Sequence, residues 1–255
     1  MAEGPEPNGV PPPPRLPLRR RGIYLLPNLF TTGVLFGGFF AIVQAMNGRY
    51  EIAAVAIYVA MVLDGLDGRV ARWTHTQSEF GAEYDSLADM VAFGAAPALV
   101  AYEWALRDLG KLGWIAAFVY CAGTALRLAR FNTNIDVVDK RYFQGLPCPA
   151  AAAVVAGLVW VASDFGWSAG PAVAALTWGI TVFAGVTMVS NVPFYSFKDI
   201  NFKKRVPFWV ILALVAGLSV VSWHPSAVLF LAALTFALSG YVLWSMGHRV
   251  KRVEH

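Results

Sequence analysis

Long apolar segments separated by short polar ones account for most of this 255-residue chain. Hydrophobic residues are 57% of the sequence and charged residues only 14%, whereas soluble domains carry about 25% charged residues. Segments of about 20 apolar residues span a bilayer as helices, although several here, the fifth and seventh among them, are shorter. The pattern predicts an all-α, polytopic transmembrane bundle of about eight helices, at residues 29–46, 50–72, 80–106, 112–131, 148–163, 171–190, 207–222 and 226–246.

The basic residues predict how this bundle is oriented. If both termini are cytoplasmic, only Arg49, Arg107 and Lys111 of the 20 lysines and arginines fall on the far side, which is a strong positive-inside bias. We therefore expect an integral membrane protein, in the inner membrane if the cell is bacterial. The net charge of +4 reflects this topology and contact with anionic membrane lipids, and it gives no support to nucleic-acid binding. The residues expected to contact lipid phosphates are Lys203, Lys204 and Arg205.

One transmembrane domain, at residues 25–247, is expected between two short tails. Residues 1–24 combine a stretch rich in Pro and Gly, which predicts disorder, with a basic juxtamembrane segment. Within it, residues 16–26 either lie flat on the cytoplasmic surface or form a flexible linker. The N-terminus lacks the apolar core of a cleaved signal peptide. Residues 248–255 are expected to form a short cytoplasmic tail.

Four aspartates interrupt the second and third apolar segments in a spaced pattern. Acidic side chains inside a bilayer are strongly disfavoured unless something compensates them. Divalent metal provides that compensation, and oxygen ligands select hard cations such as Mg²⁺ or Mn²⁺. The pattern therefore predicts a metal site that handles a diphosphate, and it reads Asp64-x2-Asp67-Gly68-x2-Ala71-Arg72-x8-Gly81-x3-Asp85-x3-Asp89.

Helical spacing places these acids on two stripes, one on each helix. Because the connecting loop is short, the helices must run antiparallel side by side, and we expect the four carboxylates to meet near the cytoplasmic third of the bilayer. Four carboxylates so close would repel one another, and two divalent cations would cancel their formal charge. A two-metal centre can clamp a phosphate and neutralise the leaving group of an in-line displacement. Arg72 adds a cation whose geometry suits phosphate.

Small residues lie beside the acids on the same helix faces. They are explained either by tight helix packing or by clearance for a nucleotide. Glycine inside a helix costs about 1 kcal/mol relative to alanine, and the position of the glycines next to the acids favours the second explanation. The residues concerned are Gly65, Gly68, Ala71, Gly81 and Ala82.

The pattern from Asp67 to Asp89 resembles the signature of the CDP-alcohol phosphotransferases, with every motif position filled, and Asp64 fits the first acid of the extended pattern. Enzymes of this family join an alcohol to the phosphorus of a CDP-linked lipid and release CMP, with two divalent metal ions. Further stretches resemble the branch that transfers the phosphatidyl group of CDP-diacylglycerol to L-serine. These are LPNLFT at 26–31, EFGAEYDSLAD at 79–89, RLARFN at 127–132 and GLP at 145–147. The resemblance covers about residues 25 to 150.

The resemblance implies roles for the motif residues. The two metal ions, Mg²⁺ or Mn²⁺, would be held by Asp64, Asp67, Asp85 and Asp89. Asp89 would also be the general base that takes the proton of the serine hydroxyl. The cytidine and diphosphate would be bound by Gly68, Ala71, Arg72 and Gly81.

Asn28 and Thr31 stand at the start of the first apolar segment, at the same cytoplasmic level. One interpretation is that they bind the nucleotide. The other is that Asn28 caps the first helix and that the Thr31 hydroxyl bonds to the carbonyl four residues earlier. The sequence leaves both interpretations open.

The residues that bind the acceptor are predicted from the chemistry of serine, whose carboxylate calls for a guanidinium. Arg127 and Arg130 lie three residues apart near the cytoplasmic end of the fourth helix, and Arg127, a turn deeper, is the preferred partner. The alternative is that both extend to the headgroups. Asn132 and Gln144 are further candidates.

Two other functions compete with this one. A relative that uses glycerol phosphate, inositol phosphate or inositol would need a more basic acceptor pocket than Arg127 and Arg130 supply. A cation transporter also carries acids in its membrane helices, but it would distribute its polar residues across the bilayer or show repeated halves. The family resemblance further suggests a homodimer.

The expected mechanism is direct attack of serine on the lipid-bearing phosphorus. No histidine or cysteine lies on either acidic stripe, and the aspartates are needed as metal ligands or as the base. Cys121 and Cys148 show no metal or redox spacing and are interpreted as small apolar residues.

Overall fold

The computed structural model describes residues 18–74, 78–133, 142–195 and 208–246. These residues form eight helical segments, which confirms the predicted number. Seven of the eight lie within a few residues of their expected bounds, and the first begins earlier, at Leu18. The segments are α1 Leu18–Met46, α2 Tyr50–Thr74, α3 at residues 79–109, α4 Lys111–Thr133, α5 Cys148–Asp164, α6 Pro171–Val189, α7 Phe208–Trp223 and α8 Pro225–Ser245.

The membrane character of the chain rests on four of these helices. Within the described residues, four helical stretches are long and apolar enough to cross a bilayer: Asn28–Met46, Lys111–Thr133, Pro171–Val189 and Pro225–Ser245. A fifth apolar helix, Cys148–Asp164, is shorter. The prediction of a membrane protein built from helices is therefore confirmed, while helices α2 and α3 differ from ordinary spans because they carry the carboxylates.

Helix α3 is not the uniform α-helix that the sequence predicted. An α-helical part, Glu79–Asp89, is followed by a π-helical stretch, Met90–Ala95, directly after the last aspartate. The cause is Pro97, which has no N–H to donate to the carbonyl of Phe93, four residues earlier. The Tyr120 hydroxyl of α4 donates to that carbonyl at 2.9 Å. The irregular turn is therefore satisfied by a neighbouring helix.

The mostly helical structure also contains a small two-stranded antiparallel sheet, which the sequence did not predict. Strand β1, Tyr142–Gln144, pairs with β2, Pro193–Tyr195, so that Phe143 lies opposite Phe194. Three-residue strands are too short to show a periodic pattern in the sequence. After β1 the chain turns at Gly145, whose φ is +76°, and an added Cβ there would lie 2.2 Å from the Met188 carbonyl oxygen. Only glycine fits this turn.

Close helix contacts hold the carboxylate helices in the bundle. An added Cβ on Gly38 of α1 would lie 2.5 Å from Ala92 Cα, just beyond the acidic part of α3. An added Cβ on Gly123 of α4 would lie 2.5 Å from the Gly185 carbonyl oxygen of α6. Small residues at such crossings let helix backbones approach each other. Glycine therefore does allow tight helix packing in this protein, and it does so at Gly38 and Gly123.

The predictions for the two ends of the chain and for the basic residues before α7 are only partly covered by the described residues. Residues 18–24 are helical and continue directly into the rest of α1. Residues 1–17, the basic residues Lys203, Lys204 and Arg205, and the C-terminal stretch 248–255 lie outside the described residues.

Candidate active site

Three of the predicted metal ligands converge between α2 and α3. One carboxylate oxygen from each of Asp64, Asp67 and Asp85 lies within 4.8 Å of the other two. Asp67 is buried, with 5% of its surface exposed, and the other two are half-buried. Carboxylates three and four residues apart on two antiparallel helices can meet in this way only if the helices face each other correctly. The structure therefore brings the predicted ligands together.

Asp89 lies one turn after Asp85 on the same face of α3, but it is not one of the three residues whose carboxylate oxygens lie within 4.8 Å of one another. Within the described residues, the Oδ1 atom of Asp89 is buried without a hydrogen-bond partner. Among the side chains that the structure describes, no lysine or arginine forms an ion pair with any of the four aspartates. Buried carboxylates and an unpartnered oxygen fit hard divalent cations, which take oxygen ligands.

Helix α1 supplies polar contacts to both carboxylate helices. The Thr31 hydroxyl donates to Asp67 Oδ2 at 3.1 Å, and the Thr32 hydroxyl lies 3.0 Å from the Tyr84 hydroxyl of α3. Asn28 lies in the third turn of α1, because the helix begins at Leu18. The capping alternative for Asn28 is therefore wrong.

The predicted nucleotide-binding glycines differ in their surroundings. Among the described residues, an added Cβ would meet nothing within 4 Å at Gly65 or Gly68, so tight packing against these residues does not explain the two glycines. At Gly81 the added Cβ would approach Ser78 Oγ at 3.1 Å and Asn28 Oδ1 at 3.6 Å. The open side of α2 beside the carboxylates thus has room for a bound group.

Ala71 and Arg72 belong to α2, one helical turn beyond Gly68. The structure does not describe their side chains, so their predicted contacts with the diphosphate stay a prediction.

The acceptor candidates lie on or near α4 and make different contacts. Arg127 donates to Cys148 Sγ at 3.4 Å, and its Nε atom is buried without a partner. Arg130 donates to Asn191 Oδ1 at 3.4 Å, and Asn132 donates to Ser86 Oγ at 3.1 Å. Gln144 lies in β1, opposite Pro193.

Some residues at the site were not singled out from the sequence. Cys148 is fully buried and accepts the hydrogen bond from Arg127, so it is more than the small apolar residue that its isolated position indicated. Thr32, Tyr84 and Ser86 join α1, α3 and α4 through their hydroxyl groups. Tyr84 and Ser86 lie within the stretch at 79–89 that carried the resemblance, but nothing in the sequence indicated which partner each would find.

The family resemblance is confirmed by comparison with known proteins. The family model for CDP-alcohol phosphatidyltransferase matches residues 24–189. This range includes every aspartate of the cluster and all of the acceptor candidates. The chain belongs to the CDP-alcohol phosphatidyltransferase family, and it is a transferase of that type.

Curated relatives narrow the comparison to one branch. The chain is 37% identical over 222 residues to the CDP-diacylglycerol–serine O-phosphatidyltransferase of Helicobacter pylori strain J99, covering 87% of this chain and 92% of the relative. It is 33% identical over 235 residues to the enzyme of the same name from Mycobacterium leprae, covering 86% and 75%.

A solved structure can be aligned with part of this chain. Phosphatidylinositol phosphate synthase of Mycobacterium tuberculosis, with CDP-DAG bound, aligns with a TM-score of 0.49 and 22% identity, over 68% of this chain and 87% of that one. At this level of similarity, the neighbour is no guide to the ligands of this chain.

Proposed function

We propose that this chain transfers the phosphatidyl group of CDP-diacylglycerol to the hydroxyl of L-serine and releases CMP. The observation that carries the proposal is the extent of similarity to curated enzymes of that name, which spans 87% of this chain. The clustered carboxylates of Asp64, Asp67 and Asp85 agree with it, because a diphosphate substrate calls for a hard-metal site.

Two divalent cations, Mg²⁺ or Mn²⁺, are proposed to be held by Asp64, Asp67, Asp85 and Asp89. When bound, they would withdraw charge from the diphosphate and make CMP a better leaving group. The unpartnered Asp89 Oδ1 and the convergence of the other three carboxylates support this ligand set. The nucleotide is proposed to bind along the open face at Gly68, with Ala71, Arg72, Gly81 and Asn28 around it.

The acceptor is proposed to bind between Arg127 and Asp89. Within the described residues, each has a buried polar atom without a hydrogen-bond partner, Nε and Oδ1 respectively, and the two side chains, which belong to the contacting helices α4 and α3, form no ion pair. L-serine has complementary groups for both ends, because its carboxylate can pair with a guanidinium and its hydroxyl can donate to a carboxylate. Arg130, Asn132 and Gln144 would border this position rather than form its centre.

The reaction proposed is a single displacement. Asp89 takes the proton of the serine hydroxyl while the serine oxygen forms a bond to the lipid-bearing phosphorus. The bond from that phosphorus to the CMP oxygen breaks, and CMP leaves with the electron pair. No histidine or cysteine is placed among the carboxylates in the described residues, so the chain offers no better nucleophile there. This route predicts sequential kinetics and inversion at phosphorus.

An acceptor panel tests the proposal. Purified protein in detergent, given CDP-diacylglycerol and Mn²⁺ or Mg²⁺, is assayed for CMP release with L-serine, inositol, glycerol 3-phosphate and inositol phosphate. We expect release with serine alone and no release without added divalent metal. Preferential use of any other acceptor would overturn the serine assignment and leave the family assignment intact.

Topology, assembly and domain organisation complete the proposal. The excess of basic residues on one side supports an active site at the cytoplasmic face of the membrane, with both termini in the cytoplasm. We propose a homodimer with a catalytic domain at residues 25–247 and terminal segments at 1–24 and 248–255. Mass measurement of the detergent-solubilised protein tests the dimer.

A further inference from the structure

Two adjacent threonines of α1 reach the two helices that carry the carboxylates. The Thr31 hydroxyl donates to Asp67 Oδ2 at 3.1 Å, and both residues are buried, with 4% and 5% of their surfaces exposed. The Thr32 hydroxyl lies 3.0 Å from the Tyr84 hydroxyl. One turn of α1 therefore contacts α2 at one carboxylate ligand and α3 one residue before another, Asp85.

The second of these contacts has a defined direction. Thr32 Oγ1 donates to the Asn28 carbonyl oxygen at 2.7 Å. Because a hydroxyl group has one proton to donate, the Tyr84 hydroxyl must be the donor to Thr32. The Tyr84 ring also stacks on Phe80, with 5.9 Å between the ring centroids. Thr32 is thus fixed to its own helix, and Tyr84 links α3 to it.

We propose that Thr31 and Thr32 are positioning residues that set the relative placement of the α2 and α3 carboxylates. The inference rests on the metal site proposed above. Thr31 fixes the rotation of the Asp67 carboxylate, and the bond between Thr32 and Tyr84 fixes α3 against the same turn of α1. Hydrogen bonds to ligating carboxylates orient them, and their loss typically weakens metal binding by about 10- to 100-fold. Thr31 therefore acts through Asp67 and not through the nucleotide.

Direct binding of Mn²⁺ to the full-length, metal-free protein in detergent tests this role without any substrate. Free Mn²⁺ is measured by electron paramagnetic resonance. Thr31→Val, which keeps the shape and removes the hydroxyl, should weaken binding by about tenfold or more. Thr31→Ser keeps the donor and should restore wild-type affinity. The matched control is Thr177→Val, because the buried Thr177 hydroxyl donates within α6, to the Val173 carbonyl oxygen. The Mn²⁺ affinity of this variant should equal that of the wild type.

The link to α3 is tested by a double-mutant cycle. Thr32→Val and Tyr84→Phe each remove the same hydrogen bond, and Tyr84→Phe keeps the ring that stacks on Phe80. Each should weaken Mn²⁺ binding less than Thr31→Val, since the hydrogen bonds described for the two hydroxyl groups do not involve a carboxylate. The double variant should bind Mn²⁺ as tightly as the single variant with the lower affinity, because both changes remove the same hydrogen bond. Additive losses would overturn the link between them.

The reference variant is Asp67→Asn. If the wild type and Asp67→Asn bind Mn²⁺ equally, or neither binds it, the proposed metal site is wrong, and the positioning role is wrong with it. If the wild type binds and Asp67→Asn does not, while Thr31→Val binds normally, only the positioning role is overturned. A lower melting temperature of metal-free Thr31→Val with unchanged Mn²⁺ affinity also overturns it. If Thr31→Val does not fold, unchanged affinity in Tyr84→Phe decides against the proposal.

Discussion

The carboxylates lie on two consecutive helices joined by a short loop, whereas the polar residues on the acceptor side make their contacts with distant parts of the chain. Asn132 bonds to a residue 46 positions away and Arg130 to one 61 positions away, while Arg127 bonds to Cys148, which lies beyond β1 at the start of α5. The carboxylate side is therefore specified mainly by local spacing, which a motif can record. The acceptor side depends on how α4 packs against α3, α5 and the segment before β2.

The two sides also differ in their small residues. Beside the carboxylates, Gly65 and Gly68 border open space. On the acceptor side, Gly123 allows close contact between α4 and α6, and Gly145 allows the turn after β1. Glycine thus provides room for a ligand in one region and close packing in the other.

The largest effect is expected from the carboxylates. Asp67→Asn or Asp85→Asn should lower CMP release by about a thousandfold or more, because metal-supported charge stabilisation is worth several kcal/mol and each 1.4 kcal/mol is about tenfold. Binding of Mn²⁺ should weaken in parallel while the helical circular dichroism spectrum is retained. The control is Asp108→Asn, which changes an exposed aspartate at the C-terminal end of α3. Full activity in either site variant would remove the metal role from this side.

Asp89→Asn tests the general-base role proposed for that residue beside its role as a metal ligand. Loss of a general base lowers the rate by about 10²- to 10⁴-fold, so kcat should fall by that factor and the acidic limb of the pH–rate profile should change. A ping-pong pattern, with exchange of labelled CMP into CDP-diacylglycerol in the absence of serine, would contradict direct attack.

Arg127→Ala should act on the acceptor alone. Loss of a charge-assisted hydrogen bond worth about 1.5–3 kcal/mol corresponds to about a ten- to hundredfold higher KM for serine, with a much smaller change for CDP-diacylglycerol. Arg107→Ala is the control, because Arg107 is an exposed arginine whose guanidinium pairs with Glu103 in α3. Equal weakening of both substrates by Arg127→Ala would move Arg127 to the nucleotide or to a structural role.

The smallest effect is expected at Cys148. A sulfur atom is a weak acceptor, so Cys148→Ala should raise the KM for serine by only about two- to tenfold, through freer movement of Arg127. Cys148→Ser keeps an acceptor and should have a smaller effect, and Cys121→Ala should have none. An effect of Cys148→Ala on the KM for CDP-diacylglycerol instead would break the proposed link to the acceptor.

The sequence by itself determined the membrane character, the eight helices, the family and the convergence of Asp64, Asp67 and Asp85. Each depends on composition or on spacing within one helix, or on two helices that a short loop forces together. These features can be predicted without knowing how distant parts of the chain pack, because helical periodicity fixes which residues share a face.

Only the tertiary structure decided the partners of the remaining polar groups. In the structure, Thr31 donates a hydrogen bond to Asp67, and Arg127 donates one to Cys148. The Tyr120 hydroxyl donates to the Phe93 carbonyl, which Pro97 cannot bond, and β1 pairs with β2. A hydroxyl or thiol in an apolar helix has many acceptors within reach, and which one it finds depends on the rotation and crossing of whole helices. No local pattern carries that information.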